Sequence, residues 1–304
     1  MSGPAEIVVD TGAIRLGALD YGNAGAPPLV VLHGQGDLAW SMDSVAAALS
    51  ADFHVVTLDL RGHGRSERGA YTMLHLVGDL RGAIEALGLA QPVLVGHSLG
   101  GQVVSQFAGL FPEVARLVVL VEAIGPPTRA RQDIDLDQRR LMSRELVEML
   151  RTKPRRRPMP DLAAAADRLR QVHPRLDPDR LERLVELGTI PSPEGGVEWR
   201  FDPLSRDWLA GFDPAVAEER WRGIRCPVLV ILGGDAWERF WKDRLPPFAG
   251  VELDGPMSTT ERDRRLACFA DVELVEIQNA GHMVHFDAPD ELNDAIAEFV
   301  ARRL

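Results

Sequence analysis

The chain has 304 residues, 45% of them hydrophobic and 26% charged, which suits one large globular domain or a domain carrying an insertion. A formal charge of −11 and a pI near 5.2 repel a phosphate backbone and exclude nucleic acid as a partner; the local cluster Arg151, Lys153, Arg155, Arg156, Arg157 reads as a solvated loop. No basic start leads into an apolar segment and the apolar runs are strand-length, so the expectation is a cytoplasmic protein with no membrane partner; Cys226 and Cys268, without C-x-x-C spacing, suggest neither a disulfide framework nor a zinc site.

From about residue 5 to 124, short β-branched runs alternate with longer amphipathic stretches, the rhythm of strands and crossover helices. The predicted strands are Ile7–Val9, Ile14–Tyr21, Pro28–Leu32, His54–Leu58, Val93–Val95 and Leu117–Val121. The later ones lack polar alternation, as strands of a parallel sheet covered on both faces do. Helices are predicted over Asp43–Leu49, Leu74–Leu87 and Gly101–Leu110.

Between Gly125 and Arg222 the β-branched runs disappear. Leu136–Arg151, Asp161–Val172 and Asp177–Leu187 are rich in Ala, Leu, Arg and Glu with capping Asp or Pro at their starts, and predict helices. Glu194-Gly195-Gly196, flanked by Pro191 and by Val197–Asp202, predicts a small hairpin. Strand texture resumes over Cys226–Leu232 and Val272–Ile277, and a helix over Pro289–Arg302 closes the chain. The division expected is a core of residues 1–124 and 223–304 with a helical cap over 125–222.

Gly96-His97-Ser98-Leu99-Gly100-Gly101 lies between a predicted strand and a predicted helix. Gly-X-Ser-X-Gly at such a junction is the nucleophile-elbow pattern, in which the turn is so tight that only glycine-sized neighbours avoid a clash. A serine hydroxyl needs an imidazole to take its proton. Of eight histidines, His282 lies in a loop between the last strand and the last helix, from which a side chain reaches back over the sheet edge; His285 is expected in an extended stretch before Pro289. His33-Gly34-Gln35-Gly36 follows the strand Pro28–Leu32, and the N–H groups of Gln35 and Leu99 are the two expected oxyanion donors.

His33-Gly34, Asp59-Leu60-Arg61-Gly62-His63-Gly64-Arg65-Ser66, the run around Ser98, and Gly281-His282 resemble, in order and spacing, the motifs of the α/β-hydrolase superfamily. The resemblance covers nearly the whole chain outside the insertion. It implies an α/β-hydrolase fold: a mostly parallel eight-stranded sheet with a helical cap inserted between strands six and seven. Serine at the elbow implies acyl-type chemistry and disfavours epoxide hydrolases and haloalkane dehalogenases, which carry Asp there.

The third partner of the serine departs from the family pattern. Most members place the orienting Asp third after the glycine that ends strand seven; here that glycine is Gly233 and the third position is Ala236, with Asp235 one residue early. Such an offset turns a side chain to the opposite side. Glu122, just after strand six, resembles the relocated acid of some members and is preferred, with Asp235 as the alternative. The Asp59 to Ser66 loop is read as structural, with Asp59 hydrogen-bonded to backbone or to Arg61.

Gly34, His97, Trp40, Trp199 and Trp237 are the expected substrate-binding residues, with Phe240 and Trp241 as further candidates. Trp199, Arg200, Phe201, Trp208, Phe212 and Trp221 form an aromatic-rich group in the insertion, read mainly as a satellite core. The function expected is a serine hydrolase that cleaves an ester, thioester, lactone or activated carbon–carbon bond in a small, mostly apolar substrate through an acyl-Ser98 intermediate, with no metal or organic cofactor. A cofactor-independent dioxygenase of the same fold and a non-catalytic ligand-binding protein are the alternatives. Beyond its small-molecule substrate, a monomer or homodimer is expected.

Overall fold

A computed structural model describes residues 3–125, 136–152, 156–242 and 255–304. The first half runs β1 (Ala5–Asp10), β2 (Arg15–Asp20), β3 (Pro28–Leu32), α1 (Asp43–Leu49), β4 (His54–Leu58), α2 (Met73–Ala86), β5 (Val93–His97), α3 (Leu99–Leu110) and β6 (Leu117–Val121). The segment after β6 holds α4 (Leu136–Arg151), α5 (Leu162–Val172), α6 (Pro178–Gly188), the hairpin strands β7 (Thr189–Pro191) and β8 (Val197–Trp199), a 3-10 helix Pro203–Gly211 and α7 (Pro214–Trp221). Then come β9 (Val228–Gly233), a helix Thr259–Leu266, β10 (Val272–Ile277), a short turn of helix Val284–Asp287 and the closing helix Pro289–Arg303.

Eight strands form one sheet in the order β1-β2-β4-β3-β5-β6-β9-β10, antiparallel at β1–β2 and β2–β4 and parallel elsewhere. Alternate residues of the central strands serve opposite faces, as a period of two requires. Leu29, Val31, Val93, Val95, Val119 and Ile231 pack with α1 and the closing helix, whereas Val30, Leu32, Leu94, Leu120 and Val230 pack with α2 and α3. Both faces are therefore dry, which is why these strands carry no polar alternation.

Between β6 and β9 the helix starts are set by Asp. Asp161, Asp177, Asp202 and Asp213 each accept a hydrogen bond from a backbone N–H two or three residues on, satisfying donors that the first turn leaves open. The hairpin pairs Thr189–Pro191 with Val197–Trp199, with one more bond in the same register from the Arg200 N–H to the Gly188 carbonyl, and its second strand stops short of Phe201 and Asp202. The expected loop cluster lies partly outside the described residues, at Lys153 and Arg155; within it, Arg156 is bonded to Glu198.

Two local expectations are corrected. The helix after the elbow starts at Leu99 rather than Gly101, since the chain enters helical geometry directly from Ser98. His285 is helical rather than extended: the N–H groups of Phe286 and Asp287 both donate to the Met283 carbonyl, and Asp287 Oδ2 accepts the Gly281 N–H at 2.7 Å, closing the loop upon itself.

Candidate active site

Ser98 sits between the end of β5 and the start of α3 with φ 50° and ψ −113°, a region costly for any residue with a Cβ. The strain is held by its surroundings. Its N–H donates to the Val121 carbonyl at 2.9 Å, and the Gly100 N–H donates to the His33 carbonyl at 3.1 Å. Gly100 lies so close to β3 that a Cβ there would stand 2.5 Å from the Leu32 carbonyl oxygen. The helix N-terminus is thereby pressed against the central strands.

His282 is 3% exposed and meets Glu122, its Nδ1 donating to Oε2 at 2.9 Å. The other oxygen, Oε1, accepts the Gly233 N–H at 2.7 Å, so the carboxylate spans from the end of β6 to the end of β9. Glu122 holds φ 52°, a second strained residue at the sheet edge. With Nδ1 protonated toward the carboxylate, Nε2 of a neutral His282 is left as the basic nitrogen. Phe240 stacks on the imidazole at 4.3 Å, Trp241 meets it edge-on at 4.7 Å, and His97 Nε2 donates to the His282 carbonyl at 2.9 Å.

Asp235 is not part of this group. Its N–H donates to the Ala280 carbonyl, and its partly exposed carboxylate accepts from Arg239 Nε at 2.9 Å one helical turn on. The one-residue offset delivers the side chain to solvent and leaves the imidazole to Glu122.

Gln35 and Leu99 flank Ser98 from the two loops expected, and among the described residues no hydrogen bond takes up either N–H. The Gln35 side chain is held from the segment after β6: Nε2 donates to Ser205 Oγ at 2.7 Å and Oε1 accepts from Trp208 Nε1 at 3.0 Å. His63 braces the same loop, its Nε2 accepting from the Gly36 N–H at 3.0 Å and its Nδ1 donating to the Arg61 carbonyl at 3.0 Å. Asp59 accepts from the N–H groups of Ala39 and Arg65, while Arg61 forks onto buried Asp79 with two bonds of 2.6 Å. Asp59 is thus bonded to backbone and not to Arg61.

Burial, helped by nearby His33, pushes the His63 imidazole down from 6.5 to about 4. Between those values the unfolded chain binds a proton there that the folded chain does not, so stability rises with pH through the window. The contribution is complete above the unfolded pKa and is lost on acidification toward the folded one; a shift of this size is worth about 3 kcal/mol. Urea midpoints measured between pH 7 and pH 4.5 are expected to fall on acidification and to fall less in His63→Gln. The difference between the two slopes isolates His63, since burial also lowers His33 and His97.

Ser98, His282, Glu122, Gln35, Leu99, Gly34 and His97 all border one cavity of about 580 Å³. Its walls are mainly apolar and come largely from the segment after β6, with Trp199, Phe201, Trp208 and Phe212 among them. Arg200, Arg206, Glu218 and Arg265 also reach the wall; of these, Arg200 donates to the Leu187 carbonyl, Arg265 to the Ile124 carbonyl and Glu261, and Glu218 accepts from Arg264. Trp40 and Trp237 do not border the cavity. Trp40 lies under the Arg183 guanidinium at 3.9 Å, and in the helical turn Trp237–Trp241 it is Phe240 and Trp241 that face His282. The support from Ser205 and Trp208 had no signal in the sequence, because those residues lie 170 and 173 positions from Gln35. Among the described residues, no group of three or more His, Cys, Asp or Glu side chains could hold a metal ion, and no helix is long and apolar enough to cross a membrane.

Known proteins resemble this chain in sequence and in fold. Epoxide hydrolase A of Mycobacterium tuberculosis is 37% identical over 141 residues, 43% of this chain and 44% of that protein. Matches to the first curated relatives span less than half of those relatives' length. Esterase Rv0045c of the same organism is 27% identical over 97% of this chain and 90% of its own. The solved thioesterase domain from the curacin biosynthetic pathway superposes with a TM-score of 0.76 at 23% identity, covering 97% of this chain and 100% of that one, a likeness of fold. A model of the alpha/beta hydrolase family matches residues 29–295. With that match spanning most of its length, and with its sheet order and elbow, the chain belongs to the alpha/beta hydrolase family.

Proposed function

We propose that the protein is a serine hydrolase that cleaves an ester, thioester or lactone, or an activated carbon–carbon bond, in a small and mostly apolar substrate. The observation that carries this reading is the His282 imidazole, fixed at Nδ1 by Glu122, in the cavity that also holds Ser98 at a strained elbow. His282 Nε2 takes the Ser98 hydroxyl proton as Oγ attacks the carbonyl carbon. The tetrahedral oxyanion lies against the N–H groups of Gln35 and Leu99. Its collapse breaks the bond to the leaving group, which departs with the proton from His282. Water, deprotonated by the same imidazole, then releases the acid from Ser98. Residues 125–222 act as a cap whose aromatic side chains select an apolar body.

An esterase-named relative that aligns over nearly the whole chain supports hydrolysis, and serine rather than aspartate at the elbow supports the acyl route. A fluorophosphonate probe is expected to add one equivalent, mapped by peptide mass to Ser98, and in H₂¹⁸O a carboxylic product is expected to gain a single ¹⁸O. An unlabelled Ser98 with oxygen consumed during turnover would replace this reading with a cofactor-independent dioxygenase; no label and no turnover across an ester panel would leave a ligand-binding protein.

A further inference from the structure

Behind the base lies a second carboxylate and imidazole. Asp37 is in the loop that presents Gln35, and His285 is three residues beyond His282 in the turn Val284–Asp287. His285 is 0% exposed, and among the described residues neither of its ring nitrogens has a hydrogen-bond partner. Asp37 Oδ1 accepts the Leu38 N–H at 3.0 Å, whereas Oδ2 is buried, has no hydrogen bond among the described residues and stands 3.8 Å from His285 Nε2. At that separation the attraction is coulombic. Four buried polar atoms without partners in one place are unusual enough to need a reason, and here His97 Nδ1 is the fourth.

The neighbouring imidazoles are committed. His33 Nδ1 donates to the Gly34 carbonyl and its Nε2 accepts the Leu60 N–H, while His97 spends its Nε2–H on the His282 carbonyl. His285 alone faces the carboxylate without a backbone bond fixing its tautomer, and its ring rests edge-on against His97 at 4.5 Å. Burial pushes the Asp37 carboxyl up, but His285 and His33 outweigh it and leave it below the usual carboxylate range. Among the described residues, no other ion pair or hydrogen bond joins the loop 33–38 directly to the loop 279–287.

Acyl transfer needs those two loops in register, since one supplies an oxyanion donor and the other the base. We infer that Asp37 and His285 are a positioning pair that clamps the oxyanion loop to the loop of the base, with His97 as the spacer between His285 and the His282 backbone; the inference rests on the acyl-transfer reading above. The pair touches no reacting atom and acts through Gln35 and His282. Misplacement of reacting groups by about 1 Å costs on the order of a hundredfold, so the loss belongs to kcat.

The test uses Asp37→Asn, His285→Gln and the double variant of the full chain, assayed on p-nitrophenyl esters, with urea denaturation of each. Each single change is expected to lower kcat about 10- to 100-fold while KM stays within about threefold, and the double variant should be no worse than the poorer single. Unchanged kcat in a folded Asp37→Asn, or losses that multiply in the double variant, would overturn the inference. Should His285→Gln not fold, the kcat and KM of Asp37→Asn decide alone. Should the wild type neither turn over esters nor be labelled at Ser98, the acyl-transfer reading falls separately. The clamp is then judged by the denaturation cycle, in which coupling of about tenfold in the unfolding constant supports it and additive losses reject it.

Discussion

Glu122→Gln is expected to lower kcat by about ten-thousandfold with little change in KM. An amide keeps the shape of the carboxylate, and its Oε1 still accepts the Gly233 N–H that Glu122 accepts at 2.7 Å, so β6 and β9 stay joined. The amide NH₂ then faces His282 Nδ1. That nitrogen must become an acceptor, the ring proton moves to Nε2, and the imidazole has no lone pair left for Ser98. The positive charge formed on His282 during attack also loses its counter-charge. Asp235→Asn removes only a partly exposed pair with Arg239 and is expected to leave kcat within about twofold, in line with the small worth of surface ion pairs. Steady-state kinetics on one ester with both variants checks the ranking; equal or reversed losses would return the orienting role to the strand-seven position.

Gly100→Ala is expected to cost about 3 kcal/mol in urea denaturation and to abolish labelling of Ser98 by a fluorophosphonate. Its Cβ would lie 2.5 Å from the Leu32 carbonyl oxygen and 2.6 Å from that of His33, both backbone atoms at the end of a central strand. A flexible side chain would swing aside, but β3 is hydrogen-bonded on both edges, to β4 and β5, and cannot. Relief must come from α3, which carries the Leu99 N–H and the strained Ser98 backbone with it. Gly78→Ala is the control: Gly78 is an exposed position of α2 where a Cβ would meet nothing within 4 Å. There the loss of backbone freedom in the unfolded chain is expected to stabilise the protein by up to about 1 kcal/mol.

Elements built by local rules were legible from the residues. The limits of β3, β4 and β6 coincide with the apolar runs read from the sequence, because a strand buried on both faces stops where hydrophobicity stops. The starts of α5 and α6 followed from Asp161 and Asp177, whose carboxylates bond within their own first turn. The helical turn at His285 is not legible in the sequence because it is closed by Asp287 reaching back to Gly281, a contact that hydrophobic pattern does not encode. Trp40 and Trp237 are aromatic and near the right loops, but the direction of a side chain at a loop end depends on its neighbours in space, here Arg183 for Trp40.

By itself, the sequence determined the family, the layered sheet and the glycine-flanked turn at Ser98, because each rests on residues adjacent in the chain or on a period of two or 3.6. The carboxylate that meets His282 was decided only by the tertiary structure. Glu122 lies 160 positions from His282 and 111 from Gly233, and only the parallel pairings of β6 with β9 and of β9 with β10 bring the three together. The same holds for the Asp37–His285 pair and for the Ser205 and Trp208 contacts to Gln35, where polar groups distant in the chain share one buried space and must satisfy one another.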